Sequence, residues 1–144
     1  MTYELMPVGK NYDMVIFDGD IVQGTWALVI NTAQLLNCYY ANSTNADDDE
    51  FIVPLVLGKG TYDVHLVYVE SSNRAKMDVS VDGNVIINQL DMYAAATAYN
   101  IIHEESNVAI GGGVHMLSFK ANGKNAASSG YTCALSHISF RKVA

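Results

Sequence analysis

Tyr62-Asp-Val-His-Leu-Val-Tyr-Val69 is the stretch that decides the fold class of this chain. Its even-numbered residues are Tyr, Val, Leu and Tyr, and they fall on one face of a β-strand because strand side chains alternate between two faces. Residues 77–81 alternate in the same way, and Asp82-Gly83 then supplies the residue types of a tight hairpin turn. The two stretches together predict antiparallel strands joined by short turns.

Strand patterns of the same kind recur along the rest of the chain. Clusters of Gly, Asn, Ser and Asp separate them at intervals of about 8 to 12 residues, which is typical of a sandwich. We therefore predict an all-β fold, an antiparallel β-sandwich of the jelly-roll type. Pro54, inside one strand run, indicates a sheet edge or a bulge. The further candidate strands are 12–17, 26–30, 36–40, 51–57, 85–87, 101–103, 114–120 and 131–141. The expected core includes Val64, Leu66, Val79, Val81, Leu117, Leu135 and Ile138.

The size and composition of the chain fit one globular domain. It has 144 residues, of which 50% are hydrophobic and 16% are charged, so it can bury enough apolar surface to fold. We expect residues 1–34 to form an N-terminal extension with strands and residues 35–144 to form the jelly-roll body. The two cysteines are Cys38 and Cys133, and we expect both to be free thiols.

The charge balance argues against several classes of partner. The formal net charge is −7 with only 8 Lys and Arg residues, which leaves no cationic cluster for a nucleic acid. The apolar runs are too short to span a membrane, and the start of the chain lacks the pattern of a secretion signal. We therefore expect neither a nucleic-acid nor a membrane partner, and synthesis in a cytoplasm. The acidic residues concentrate in residues 1–58, where Lys10 is the only base.

Five segments follow one another in a set order along the last two thirds of the chain. They are Asp48-Asp-Glu-Phe-Ile-Val53, Gly60-Thr-Tyr-Asp-Val-His-Leu-Val-Tyr68, Met77-Asp-Val-Ser-Val-Asp-Gly83, Gly113-Val-His-Met-Leu-Ser-Phe119 and Ala134-Leu-Ser-His-Ile-Ser-Phe140. Their order resembles that of a carbohydrate-binding module of the jelly-roll type. Asn122-Gly-Lys-Asn-Ala-Ala-Ser-Ser-Gly-Tyr131 and the final strand are also similar to a domain that recurs in tailed-phage virion proteins. Such domains occur there in head-decoration proteins and in tail modules.

The resemblance implies a binding or structural protein rather than an enzyme. Sugar-binding members usually place an Asn near the start of the last strand, where this chain has Ala134. The leading hypothesis is therefore a capsid decoration, or cement, protein on the outside of a tailed-phage head. Its partners would be the major capsid protein and itself, as a homotrimer, and its location the capsid surface of the virion. The alternative is a carbohydrate-binding or receptor-binding module of a phage tail or of a carbohydrate-active protein.

The densest group of acidic residues is Asp47, Asp48, Asp49 and Glu50. Ca²⁺ prefers several oxygen ligands, and the resemblance implies that a structural calcium ion is common in such modules, so the four carboxylates are a calcium candidate. The spacing of an EF-hand loop is absent, and a solvated acidic loop ahead of a strand is the reading that such a run of acids favours. Apart from calcium we expect no cofactor.

Five tyrosines near the ends of predicted strands or in loops are candidates for stacking on a sugar or filling a protein interface. They are Tyr39, Tyr40, Tyr93, Tyr99 and Tyr131. Each fits alternatively in the core or rim of a sandwich. The four His residues are dispersed without metal-ligand spacing, and Gly111-Gly-Gly113 lacks the Lys-Ser/Thr of a phosphate loop. No catalytic site is predicted.

Overall fold

Eleven β-strands make up the part of the chain that the structure describes, and none of its residues is helical. The structure is a computed structural model that describes residues 13–14, 20–30 and 38–144. Within these ranges there is no helix that could cross a membrane. The strands are β1 (Asp13–Met14), β2 (Asp20–Gln23), β3 (Trp26–Val29), β4 (Tyr39–Asn42), β5 (Glu50–Leu57), β6 (Gly60–Glu70), β7 (Ala75–Val81), β8 (Asn84–Asp91), β9 (Ala98–Ile110), β10 (Gly113–Lys124) and β11 (Ala134–Lys142).

The strands form two antiparallel sheets. One sheet has the order β3-β4-β11-β6-β9, with β1 also paired to β11, and the other has the order β2-β5-β10-β7-β8. Chain neighbours such as β5 and β6 lie in different sheets, so the chain repeatedly crosses from one sheet to the other. The predicted all-β antiparallel sandwich of the jelly-roll type is confirmed.

The core lies between the two sheets, and every residue expected there is at most 6% exposed. β5 and β7 alternate along their whole length between buried and less buried side chains, as a half-buried strand requires. Aromatic rings from β6 and β11 meet in the core, where Tyr62 packs edge-on against Phe140 with ring centroids 6.3 Å apart. The period-two pattern therefore identified the buried face correctly.

Two local features follow from backbone chemistry. Asp82 and Gly83 both have positive φ angles, 51° and 80°, as a type I′ hairpin turn requires between β7 and β8. Pro54 pairs with Met116 of β10, whereas the described part of β2 reaches β5 only at Glu50–Ile52. Among the described strands, Pro54 is thus paired with a neighbouring strand on one side only. This position suits proline, because proline has no N–H to donate to a second strand.

Several predicted strands differ in extent from the observed ones. The predicted strand 101–103 is only the middle of β9, which is 13 residues long. β9 is the last described strand of its sheet, and a strand in that position tolerates many polar residues. The predicted 131–141 begins only at Ala134, since backbone groups before it bond to side chains of another loop. The predictions 12–17 and 36–40 lie partly outside the described residues, where β1 and β4 cover only part of them.

The first three strands belong to the predicted N-terminal extension, residues 1–34. β1 pairs with β11, β2 with β5 and β3 with β4, so this segment contributes strands to both sheets. The proposed boundary between residues 34 and 35 stays a prediction.

The connections divide into two ends of the sandwich. β5, β7, β9 and β11 all begin at one end, which we call the loop end, and its loops are residues 24–25, 43–49, 71–74, 92–97 and 125–133. β6, β8 and β10 begin at the opposite end, which we call the turn end, and its turns are residues 58–59, 82–83 and 111–112. Long loops therefore gather at one end and short turns at the other.

Truncating Leu117 to Ala tests the position of the core. Leu117 is fully buried on β10, so Leu117→Ala should lower the free energy of unfolding by about 2–5 kcal/mol in urea titrations. Val114 lies on the same strand but is 75% exposed, and Val114→Ala should change that free energy by no more than about 0.5 kcal/mol. Equal losses in the two variants would contradict the assignment of the inner face.

Candidate functional site

Asn42, the last residue of β4, joins two loops at the loop end. Its side-chain amide donates to Asp49 Oδ2 over 2.7 Å and to the carbonyl of Tyr131 over 3.0 Å, while its Oδ1 accepts from the Cys133 amide over 2.6 Å. Asn42 and Asp49 are each 1% exposed, so these bonds are made away from water. Asp49 Oδ2 also accepts from the Ala46 amide, which closes its own loop. The 43–49 and 125–133 loops are therefore held to one another.

A second contact between the same two loops runs through Asn45. Its Oδ1 accepts from the Tyr131 amide over 2.5 Å and from Thr132 Oγ1 over 3.2 Å. A Cβ at Gly130 would lie 2.5 Å from that same oxygen, so only glycine allows the approach. The N–H and the carbonyl of Tyr131 are thus fixed by the side chains of Asn45 and Asn42.

Arg74 occupies the 71–74 loop as a buried cation, 5% exposed. Its Nε donates to the Val69 carbonyl over 3.0 Å, its Nη1 donates to Asn73 Oδ1 over 2.7 Å, and its guanidinium lies 5.7 Å above the ring of Tyr39. Burial lowers the pKa of the guanidinium. Among the described residues no carboxylate forms an ion pair with it, so neutral groups alone solvate this charge.

Four of the five predicted tyrosines lie at the loop end. Tyr39 contacts both Arg74 and Tyr99, with its ring centroid 6.4 Å from that of Tyr99. Tyr131 is half-buried, and Lys124 Nζ lies 4.8 Å from its ring centroid. Tyr93 is half-buried in the 92–97 loop, where its amide donates to Asp91 Oδ1 over 3.1 Å.

Tyr40 is the exception among the predicted tyrosines. Its ring lies 6.0 Å from that of Trp26 and 4.8 Å from that of Phe51, inside the sandwich, and burial raises its pKa. Neighbouring residues on a strand point to opposite faces, which separates Tyr40 from Tyr39. Tyr40 is thus a half-buried residue that packs against the core, and its part as a ligand or interface aromatic stays a prediction.

The four predicted calcium ligands each bond to a different group. Asp47 Oδ1 accepts from the Gly123 amide over 2.8 Å, and Asp48 pairs with Lys120 over 2.9 Å on the surface. Asp49 is buried against Asn42, and Glu50 accepts from Ser118 Oγ over 2.6 Å. The described residues contain no group of three or more acidic, His or Cys side chains placed to hold a metal ion. Asp47 and Asp48 are exposed while Asp49 is buried, and calcium binding at residues 47–50 stays a prediction.

The remaining candidates for chemistry have structural surroundings. Cys133 is fully buried and burial raises the pKa of its thiol, which disfavours the reactive thiolate. Cys38 is half-buried, and both cysteines are free, as predicted. Gly111-Gly-Gly113 joins β9 to β10 as the expected turn.

Three residues that organise this surface were not found by sequence reasoning. Asn42, Asn45 and Arg74 act through partners that lie up to 91 residues away along the chain. A single Asn or Arg carries no periodic signal, although an Asn directly after an apolar strand run favours a turn or cap. Ala134, the position at which the resemblance led us to look for an Asn, is fully buried and pairs with Ala41.

No protein-family model and no curated protein matches the chain. Its fold is similar to that of domains from carbohydrate-active proteins. The xanthan lyase of Paenibacillus matches with a TM-score of 0.76 and 23% identity over 95% of this chain, which spans 13% of the length of that lyase. The CBM36-1 domain of a multidomain xylanase from the hindgut metagenome of Trinervitermes trinervoides matches with a TM-score of 0.69 and 14% identity, over 91% of this chain and 96% of that domain. A CBM36 module in complex with calcium and xylotriose matches with a TM-score of 0.64 and 10% identity, over 90% of this chain and 98% of that module.

At these identities the likenesses show the fold alone. They confirm the resemblance to jelly-roll carbohydrate-binding modules and give no support to a phage origin. The structures that this chain matches over nearly their full length are named as binding modules, which agrees with the expectation of a chain that is not an enzyme by itself. Enzymes also contain such domains as parts.

Replacing Asn42 by Ala tests its role in joining the loops. The change leaves the buried Asp49 carboxylate and the Cys133 amide each short of a hydrogen bond, so Asn42→Ala should lower the free energy of unfolding by about 1–3 kcal/mol. The exposed Asn88 on β8 supplies the matched control, and Asn88→Ala should cost less than about 0.5 kcal/mol. Urea unfolding of both proteins measures the difference, and an Asn42→Ala protein as stable as the control would contradict the role.

Chelation tests the four carboxylates. Because each has its own protein partner, adding EDTA should leave the melting temperature unchanged. A clear decrease in that temperature that Ca²⁺ reverses and Mg²⁺ does not would show a calcium site after all.

Proposed function

We propose that this chain is a non-enzymatic carbohydrate-binding module whose ligand surface is the loop end. The observation that carries the proposal is the collection of Tyr39, Tyr93, Tyr99 and Tyr131 among loops locked together by Asn42 and Asn45, on a sandwich similar to known sugar-binding modules. The similarity supports the fold, and the loop-end chemistry supports the ligand class.

The physical requirements of sugar binding match this surface. A sugar ring presents one apolar face and a rim of hydroxyl groups, so it needs an aromatic face beside a few fixed donors and acceptors. Tyr131 supplies a ring with Lys124 beside it, and Asn125 and Asp91 supply further polar groups at the loop end, with Asn125 Nδ2 donating to Asp91 Oδ2 over 2.7 Å. The loop contacts hold the backbone in place before any ligand arrives, which reduces the ordering cost of binding.

The proposed ligand class is a polysaccharide of the kind met by carbohydrate-active enzymes. The similar structures include a module bound to xylotriose, the module of a xylanase, a mannanase and an exo-β-1,3-galactanase. This chain matches only 28% of the mannanase and 30% of the galactanase. We therefore propose that it serves as a targeting module for a catalytic domain, with the individual polysaccharide to be identified by binding.

The hypothesis of a capsid decoration protein has weaker support. It depends on the acidic N-terminal segment, much of which lies outside the described residues, and on the replacement of the family Asn by Ala134. The similar structures reported above come from carbohydrate-active proteins and give no support to the major capsid protein or a homotrimer as partners. Location on a virion stays a prediction without a test.

Affinity electrophoresis against soluble xylan, β-1,4-mannan, β-1,3-galactan and xanthan tests the proposal. The protein should be retarded by at least one polysaccharide, and Tyr131→Ala or Tyr93→Ala should weaken that binding by about tenfold through loss of a contacting ring. Val114→Ala, on the outer face of β10, is the matched control and should bind as the unchanged protein does. Repeating the gels with EDTA shows whether binding depends on calcium.

Two results would contradict the proposal. Retardation that survives both tyrosine changes would move the ligand surface away from the loop end. Absence of retardation in all four gels, together with saturable binding to phage capsids that lack a decoration protein, would favour the capsid hypothesis instead.

A further inference from the structure

His115 closes the turn end of the sandwich from the inside. It lies on β10 on the same face as Leu117 and Phe119, and it is 8% exposed. A pocket of about 80 Å³ adjoins it. Asp82, Asn84 and Gly111 line the polar side of this pocket together with His115, and its apolar side is lined by Val81, Ile86, Ala109 and Ile110. His115 is thus a buried ionisable side chain at the end of the molecule opposite the tyrosines.

Both ring nitrogens of His115 face acceptors. Nδ1 lies 2.6 Å from Asp82 Oδ2, in the turn between β7 and β8, and Nε2 lies 2.7 Å from the Gly111 carbonyl, in the turn between β9 and β10. A neutral imidazole carries one N–H and can donate only one of these hydrogen bonds. Making both therefore requires the doubly protonated ring.

The Asp82 carboxylate is itself held in place. Its Oδ1 accepts from the Met116 amide over 2.7 Å, and the Asp82 amide donates to the Met116 carbonyl over 2.9 Å. These bonds tie the turn to β10 on both sides of the ring. The Met116 amide and His115 together hold the pKa of the Asp82 carboxyl below its ordinary value.

Few other charges face this ring. Among the described residues that line the pocket, Asp82 is the only ionisable partner of His115, and β5 places Leu55 opposite the ring. On the adjoining turn of residues 58–59, Lys59 packs against Gly112 and lines the neighbouring pocket with Gly111. The two ring nitrogens therefore face one carboxylate and one carbonyl.

We infer that His115 joins the 82–83 turn to the 111–112 turn in a pH-dependent way, and we call this contact the clasp. As an imidazolium the ring donates a hydrogen bond to each turn. When the ring loses a proton, it loses one of these two bonds. The inference is independent of the proposed sugar binding, because it concerns the opposite end of the sandwich. It gives the turn end a pH range of greatest stability.

The limits of that range follow from the sign of each titration. Asp82 has a lowered pKa in the folded chain, so its contribution is present above the ordinary Asp value of about 3.9 and is lost as the pH falls through the folded value. The ring needs its second proton to make both bonds, so the clasp weakens as the pH rises and that proton is lost. Both bonds are therefore present only while Asp82 is ionised and the ring is doubly protonated.

Ring ¹⁵N NMR of the unchanged protein tests the protonation state directly. At pH 5.5 both nitrogens of His115 should carry a proton and show hydrogen-bonded N–H signals, and at pH 9 one of them should lose its proton. A ring with a single proton at pH 5.5 in the folded protein would overturn the inference.

Melting curves at pH 5.5 and 9 test the consequence for stability. The melting temperature of the unchanged protein should fall by about 3–5 °C more than that of Asp82→Asn, as expected for one lost hydrogen bond in a domain of this size. The side-chain amide that this substitution introduces can keep the bond from Met116 and donate to a neutral ring, so the variant should be nearly insensitive to pH at this site. His137→Gln, on the other sheet, is the control and should retain the pH dependence of the unchanged protein. Equal decreases in Asp82→Asn and in the unchanged protein would contradict the clasp.

Discussion

The loop end depends on one buried amide, that of Asn42. Its side chain satisfies a carboxylate, a carbonyl and a backbone N–H that water cannot reach, and these three groups belong to two loops far apart in sequence. Leaving a buried polar group without a hydrogen bond costs free energy of folding. The three bonds of Asn42 therefore form together, or the two loops separate. The positions of Tyr131 and of the backbone around it follow from this contact. A binding surface made of loops gains its precision from such buried connections rather than from the loops themselves.

The sheets were predictable because their signal is local and repeated. Alternation along β6, β7 and β10 places Leu66, Val79 and Leu117 on the inner face, and one residue of slippage would have moved each of them outward. β9 was underestimated because its polar residues weaken that alternation without preventing strand formation on the last described strand of the sheet.

The site was less predictable because it is made by contacts between distant residues. The four consecutive acids 47–50 looked like one cluster, yet a turn followed by a strand sends their side chains in different directions and each finds its own partner. Tyr39 and Tyr40 are adjacent in sequence and end up on opposite faces, one beside Arg74 and the other in the core. Only the register between strands decides such cases, and no residue pattern within a short window carries it.

The two ends of the sandwich differ in the way they are held together. The loop end uses the amide contacts of Asn42 and a buried arginine, and its tyrosines are half-buried. The turn end uses the contacts of His115 with Asp82 and with the Gly111 carbonyl to join two short turns. This division leaves one end free to carry a ligand while the other closes the core. In a jelly roll such a separation lets the loops vary without disturbing the hydrophobic interior.

The central claim is that a carbohydrate contacts the loop end, and chemical-shift mapping tests it most directly. Uniformly ¹⁵N-labelled protein would be titrated with xylotriose, or with an oligosaccharide of whichever polysaccharide binds. The account predicts amide shifts concentrated in residues 43–49, 71–74, 92–97 and 125–133, with little change at residues 82–83 and 111–116. Shifts centred on the turn end or on the outer face of β5 and β10 would contradict it.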